Sequence, residues 1–166
     1  MHPNIIFDFV MSFDDVDFRD FDVIIDVASD KYKDYDWFEL QQEQVRFCVS
    51  REHPLAGKNL TMKQLKEQSF VTMGGNIHSY IEKACLDAGF TPNVVAQVND
   101  IFCYRKLMRA GTAIGYRRER NDNDSLGLCY LNVTDFKLIQ HMGAYYKKDM
   151  GGPVRNFVEY LRMKCV

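Results

Sequence analysis

The sequence predicts an α/β fold built around a parallel sheet, and three observations predict it. Ile77, Tyr80, Ile81, Ala84, Cys85 and Ala88 recur at helical spacing, and Gly89 then stands where a helix end tolerates positive φ. Pro92 blocks continuation, and an apolar run from Asn93 to Val98 follows. The same grammar repeats downstream: Leu107, Met108 and Ala110 finish a helix, Gly111 can cap it, and Ala113-Ile114-Gly115-Tyr116 is short and apolar, as a buried strand would be. Two such helix-to-strand passages in succession imply βα units lying side by side.

Taken in order, Asn4 to Val10 reads as a strand with Ile5, Phe7 and Phe9 on one face. After an acidic connection, Phe21 to Ala28 reads as a buried strand. Glu43 to Ser50 is another, with Val45, Phe47 and Val49 alternating, and His53-Pro54 forces a turn after it. Thr61 can cap a helical turn running to Glu67. Ser69 to Met73 forms a short strand, Gly74-Gly75 a sharp turn, and Asn76 the expected N-cap of the helix already described. Asn93 to Val98 is the next strand, Asn99 or Asp100 caps the helix through Arg109, and Ile114 to Arg117 follows as a strand. Arg118 to Ser125 is a charged loop. Cys129 to Leu131 and Phe136 to Lys147 read as extended, and Gly151-Gly152-Pro153 opens a last helix whose buried stripe is Val154, Phe157, Val158 and Leu161.

Composition narrows the functional classes. The chain has 166 residues, 46% hydrophobic, and a formal net charge of −2, which offers no overall electrostatic case for nucleic acid. The charge is uneven, however. Residues 1–43 hold ten Asp, two Glu, two Lys and one Arg, a net −9, against +7 for the remainder. Screened surface charge explains this as well as two mutually attractive faces do. Cys48, Cys85, Cys103, Cys129 and Cys165 are odd in number and widely spaced, the pattern of reduced, structural cysteines. No metal-ligand spacing, membrane-length apolar run or secretory signal is present, and no cofactor is implied, so a cytoplasmic location is expected.

Catalytic motifs are equally scarce. Phe21 to Asp26 superficially resembles a phosphoacceptor strand with Asp14-Asp15 as its acidic pair, but Asp15 and Asp26 are only eleven positions apart, too few for an intervening helix and strand. Asp14, Asp15 and Asp17 lack the glycine turn and closing glutamate of a calcium loop. No Gly-x-Ser-x-Gly elbow, phosphate loop or dinucleotide fingerprint occurs. The chain is not expected to be an enzyme.

His53-Pro54-Leu55-Ala56, the turn Ala88-Gly89-Phe90-Thr91-Pro92, the stretch Leu107 to Tyr116, and the terminal strand and helix ending Phe157-Val158-Glu159-Tyr160-Leu161-Arg162 together resemble the effector-binding domain of LysR-type transcriptional regulators. The resemblance spans residues 2–166 and rests on the order and spacing of these pieces. It implies two Rossmann-like α/β lobes joined by two crossovers, as in type 2 periplasmic binding proteins, with a small effector in the cleft between them. By analogy lobe I comprises residues 1–68 and 137–166 and lobe II residues 69–136, with Glu67 to Thr72 and Asp135 to Leu138 as candidate crossings. Relative to the family, the winged helix-turn-helix, the linker helix and the first strand and helix of lobe I are missing here. The sequence therefore reads as an N-terminally truncated domain, with DNA contact expected only through the absent part.

The same resemblance directs attention to Thr72, Met73, Gly74, Gly75 and Asn76. A strand ending in two glycines and entering a helix aims backbone N–H groups beyond the strand, which suits a small organic effector bearing an anionic group. A tight βα turn with Asn76 as a simple cap explains the residues as well. Open α/β sheets bind ligands at the carboxyl ends of their strands, so Ala28 and Ser29, then Val98, Asn99 and Asp100, then Tyr116 and Arg117 should rim the cleft. Arg117 can pair with a carboxylate or simply belong to a solvated basic loop with Arg118 and Arg120. His78 is placed one turn into the helix.

Three further readings stay open on sequence alone. A transport solute-binding protein shares the architecture, and an enzyme of this fold would need an acid/base pair that only Asp100, Arg117 and His78 are placed to supply. The strand at Asn4 to Val10 can also pair edge to edge with a second copy, making a homo-oligomer.

Overall fold

The computed structural model describes Ile6 and residues 17–119 and 127–164. The expected strand at Asn4 to Val10, the Asp14-Asp15 pair, most of the loop after Arg118, and Cys165 lie outside the described residues. The chain divides into two compact units, Met1–Glu43 with Gln140–Val166 and Gln44–Ile139. The sequence reading places residues 44–68 with the first lobe, whereas they cluster with the second unit. The chain passes between the units inside two strands, β2 (Asp36–Ser50) and β9 (Leu138–Tyr146).

In the first unit, β1 (Val23–Val27) runs antiparallel to β9, with Val23 opposite Tyr146 and Val27 opposite Met142. The strand is half-buried rather than enclosed: Ile24 faces a small core with Tyr32 and Tyr145, while Ile25 is exposed. β9 lies between β1 and β2. The Tyr145 hydroxyl accepts the Ser29 N–H at 2.8 Å and donates to Val27 C=O at 3.0 Å, closing the turn after β1. Helix α3 (Gly152–Lys164) buries Val158 and half-buries Val154, Phe157 and Leu161, the expected stripe. Its Arg162 lies over the Phe38 ring at 4.7 Å and donates to the Tyr146 hydroxyl at 2.6 Å.

The second unit carries the first two of the three predicted helices. β4 (Ser69–Thr72) leads into α1 (Gly75–Asp87), β5 (Asn93–Gln97) into α2 (Ile101–Arg109), and β4 and β5 are parallel. The second passage does not extend that pairing as a full parallel strand. Ile114 bridges Phe70 in parallel, and the chain then continues as β6 (Gly115–Arg118), antiparallel to β2 with Tyr116 opposite Phe47. β7 (Leu128–Tyr130) flanks β2 on its other side, and the two-residue strands β3 (Asn59–Leu60) and β8 (Asn132–Val133) pair in parallel. The expected parallel pairing is present in β4 and β5, and β2 adds an antiparallel neighbour for both β6 and β7, so the pairing is mixed. Phe47, Phe70, Ile81, Cys85, Phe90, Ile114 and Leu131 form the main core.

Local chemistry explains the element ends. Thr61 precedes a short 3-10 turn, Met62–Leu65, and its N–H donates to Gln64 Oε1 at 2.8 Å, a reciprocal cap. Asp100 caps α2, accepting the Cys103 N–H at 2.7 Å. Cys48 and Cys85 are buried as expected, and burial pushes the Cys85 thiol up to about 11, whereas Cys103 is exposed and Cys129 half-buried. His53 is 9% exposed, and its Nδ1 accepts the Leu55 N–H at 3.2 Å, which requires the neutral ring. Burial accordingly lowers its pKa from the ordinary 6.5. A His pKa depressed in the folded state means the unfolded chain binds the extra proton first. Stability is therefore expected to decline as pH falls below about 6.5, and His53→Asn should flatten that decline in urea midpoints measured between about pH 7 and pH 5.

Candidate functional site

A pocket of about 430 Å³ opens in the second unit, lined by Met73, Gln97, Val98, Asn99, Asp100 and Cys103. Its position follows from the topology. Met73 leaves the end of β4, Gln97 to Asn99 leave the end of the parallel neighbour β5, and Asp100 and Cys103 share one face of the first turn of α2. Met73 and Val98 also pack against the buried cluster of Cys48, Val71, Tyr104, Met108, Ala113 and Leu128, which anchors the pocket floor.

Four of the residues predicted from sequence thus come together: Met73, Val98, Asn99 and Asp100. Gly74 stands beside them, since a Cβ placed there would lie 3.2 Å from Gln97 Nε2. Its φ of 71° and ψ of −158° belong to backbone territory open to glycine, so the residue is required by conformation, while the crowding involves only the tip of the flexible Gln97 side chain. Gly74 is the N-cap position and the helix starts at Gly75, so Asn76 is the second helical residue and not the cap that the sequence reading assigned. The two glycines let the chain enter the helix directly from the turn, and no side chain caps the helix start.

Thr72 and Tyr116 are placed differently. Thr72 is fully buried and Tyr116 is 6% exposed, and their hydroxyls bond each other. Thr72 Oγ1 also accepts the Gly74 N–H at 2.8 Å. Burial pushes the Tyr116 phenol up to about 12. Arg117 lies on β6 with its guanidinium over the Tyr130 ring at 5.6 Å; Arg46, paired with Glu119 at 2.6 Å, sits 5.2 Å from that ring. Ala28 and Ser29 belong to the first unit. The Ala28 N–H donates to His141 C=O at 2.8 Å, and the Ser29 hydroxyl accepts the Lys31 N–H at 3.2 Å as the cap of a short 3-10 turn. His78 Nδ1 is buried without a hydrogen-bond partner in the second turn of α1.

Gln97 and Cys103 are the lining residues that the sequence reading missed. Gln97 is the last residue of β5, so the carboxyl-end rule reaches it if the strand is ended one residue earlier. Cys103 is visible only as the residue three positions after the cap, on the same helix face. The Asp100 carboxyl is held below its ordinary range by the Cys103 backbone N–H, and Asp100 in turn raises the Cys103 thiol. The site therefore offers an ionised carboxylate, two side-chain amides, a protonated thiol and two apolar walls. Among the described residues no group of His, Cys, Asp and Glu is arranged to hold a metal ion, and no helix is long and apolar enough to cross a membrane.

Comparison with known proteins decides the family. The model of the LysR substrate binding domain matches residues 2–166, nearly the whole chain. The chain belongs to the LysR substrate-binding domain family. The family is one of regulatory domains, with a type 2 periplasmic-binding-protein-like fold, and membership sets aside the transport solute-binding alternative. Solved structures agree on the fold. The regulatory domain of CcmR from Synechocystis PCC6803 in complex with 2-PG is 15% identical with a TM-score of 0.76, over 87% of this chain and 73% of that one. The C-terminal domain of a probable LysR family regulator from Rhodococcus sp. RHA1 is 19% identical with a TM-score of 0.73, over 87% and 75%. The effector binding domain of QuiR in complex with shikimate is 14% identical with a TM-score of 0.75, over 89% and 73%. No curated protein matches the sequence.

Proposed function

We propose that this LysR substrate-binding domain senses a small polar molecule, that the molecule seats in the pocket at the carboxyl ends of β4 and β5, and that its binding shifts a conformational equilibrium read out by a separate DNA-binding domain. The observation that carries the reading is the pocket itself. Met73, Gln97, Val98, Asn99, Asp100 and Cys103 converge where an open α/β arrangement binds ligands. The complexes of similar domains with 2-PG and with shikimate support a small-molecule effector. We further propose that the two compact units are the two lobes, with the crossings inside β2 and β9, and that the regulator self-associates.

The chemistry of the lining describes the effector in outline. Met73 and Val98 favour an apolar carbon skeleton, while Gln97 and Asn99 present both donors and acceptors to hydroxyl or carboxyl groups. A thermal-shift panel of small organic acids, hydroxy acids and amino acids tests the reading. A compound present at about one hundred times its dissociation constant should add roughly 2.7 kcal/mol of stability, and Gln97→Ala should weaken that response while leaving the unliganded melting temperature nearly unchanged. A panel without any stabilising compound would remove the proposal.

A further inference from the structure

We infer that Thr72 and Tyr116 are positioning residues, a buried hydroxyl pair that holds the Gly74 turn in place, rather than groups that touch the effector. The inference gives functional meaning to the pocket only if the effector-sensing reading holds, but its geometry stands separately. Gly74 has a φ of 71° and a ψ of −158°, a conformation that no intrinsic preference fixes in a chain about to enter a helix. What fixes it is the bond from its N–H to Thr72 Oγ1 at 2.8 Å. Thr72 is β-branched, fully buried, and tied by its backbone to β5, its C=O accepting the Val98 N–H at 2.9 Å. The remaining partner of its hydroxyl is the Tyr116 phenol.

Tyr116 is a firm anchor because its own backbone is clamped. Its N–H donates to the Tyr104 hydroxyl at 2.7 Å, and that hydroxyl donates to the Tyr116 C=O at 2.9 Å, so the Tyr104 phenol is fully occupied on one residue. The two rings meet edge to face at 6.2 Å. Tyr104 is 3% exposed and lies on α2, one residue beyond Cys103 of the pocket lining. A chain of hydrogen-bonded residues therefore runs from α2 through Tyr104 to the Tyr116 backbone, and from the Tyr116 phenol through Thr72 to Gly74, whose missing side chain leaves room for Gln97. The sides of the pocket contributed by α2, β4 and β5 are set by one buried network, and such networks hold geometry as a unit.

Amide hydrogen exchange followed by NMR tests this without any effector. Tyr116→Phe keeps the ring and removes only the oxygen, and Tyr116 shares no bond with Gly74. Exchange of the Gly74 amide should nonetheless quicken by about tenfold, as should exchange in Thr72→Val, while Thr72→Ser restores the protection. The amides of Val98 and Phe90, whose acceptors are the backbone carbonyls of Thr72 and Cys85, serve as internal references. A Gly74 rate within about twofold of the parent in Tyr116→Phe would overturn the inference, as would equal acceleration of all three amides, which reports general loosening instead. Because no ligand is involved, failure here and failure of the effector panel are separate results.

Discussion

Gly143→Ala is expected to destabilise the chain by about 3 kcal/mol, at the upper end of what one added carbon costs in a packed interior. Gly143 stands opposite Asp26 in the pairing of β9 with β1, and no unusual φ calls for glycine there. The reason is space. A Cβ would lie 1.9 Å from Trp37 Nε1, 2.4 Å from Trp37 Cε2 and 2.7 Å from the Phe38 carbonyl oxygen. Trp37 is 39% exposed but its indole is a rigid plane that must swing as a whole, and the carbonyl belongs to the neighbouring strand and does not yield cheaply. Trp37→Ala placed in the same chain should recover part of the loss, because the two positions share one volume. Urea unfolding checks both. A single mutant within about 0.5 kcal/mol of the parent would show that the strand pair is looser than this packing describes.

Phe47→Ala should cost about 4 kcal/mol, the larger of the two effects. Phe47 is 1% exposed in the middle of the second unit's core. Its ring lies 4.8 Å from Phe136 and 6.3 Å from Phe70, and its strand position is fixed by the register with Tyr116 and by the Leu131 N–H on its carbonyl at 2.9 Å. Neighbours held in that way cannot collapse into the hole, so the cavity term adds to the lost transfer energy. Phe47→Leu, which refills most of the volume, should cost below about 1.5 kcal/mol. The expected signature is a lower urea midpoint at unchanged slope, whereas equal losses for the two substitutions would argue against a tightly packed site.

These sites show where the sequence was legible. Both helices of the second unit could be read because their boundaries are written in local chemistry: Gly89 and Pro92 end one, and Asp100 starts the other with a side-chain cap. The strand at Phe47 was readable for the same kind of reason, since Val45, Phe47 and Val49 alternate with period two. The first half of β2 was not: Phe38 and Leu40 alternate with Glu39 and Gln41, but Trp37 is exposed on the polar face and the consecutive exposed Gln41 and Gln42 break the period. Nothing local to Ile114 announces that the strand after it turns from a parallel bridge to antiparallel pairing, which depends on a partner some seventy positions away in sequence.

The candidate site divides along similar lines. Met73, Val98, Asn99 and Asp100 follow from a rule about strand ends, which needs only the order of elements. Thr72 and Tyr116 obey the same rule by position, yet their burial turns them inward to each other, and burial of a particular hydroxyl is a property of packing. Asn76 was misread as a cap because a polar side chain at a helix start usually is one. Here two consecutive glycines with positive φ carry the chain into the helix instead. Cys103 escaped notice because its relevance comes from the helix face it shares with Asp100.

The most direct test of effector sensing at this pocket is an NMR titration of the isotopically labelled chain with a compound that stabilises it in the thermal-shift panel. The proposed site predicts saturable shifts centred on the amides of Gly74, Gly75, Gln97, Asn99, Asp100 and Cys103. A stabilising compound whose shifts were confined to β1, β9 and α3 of the first unit would contradict it.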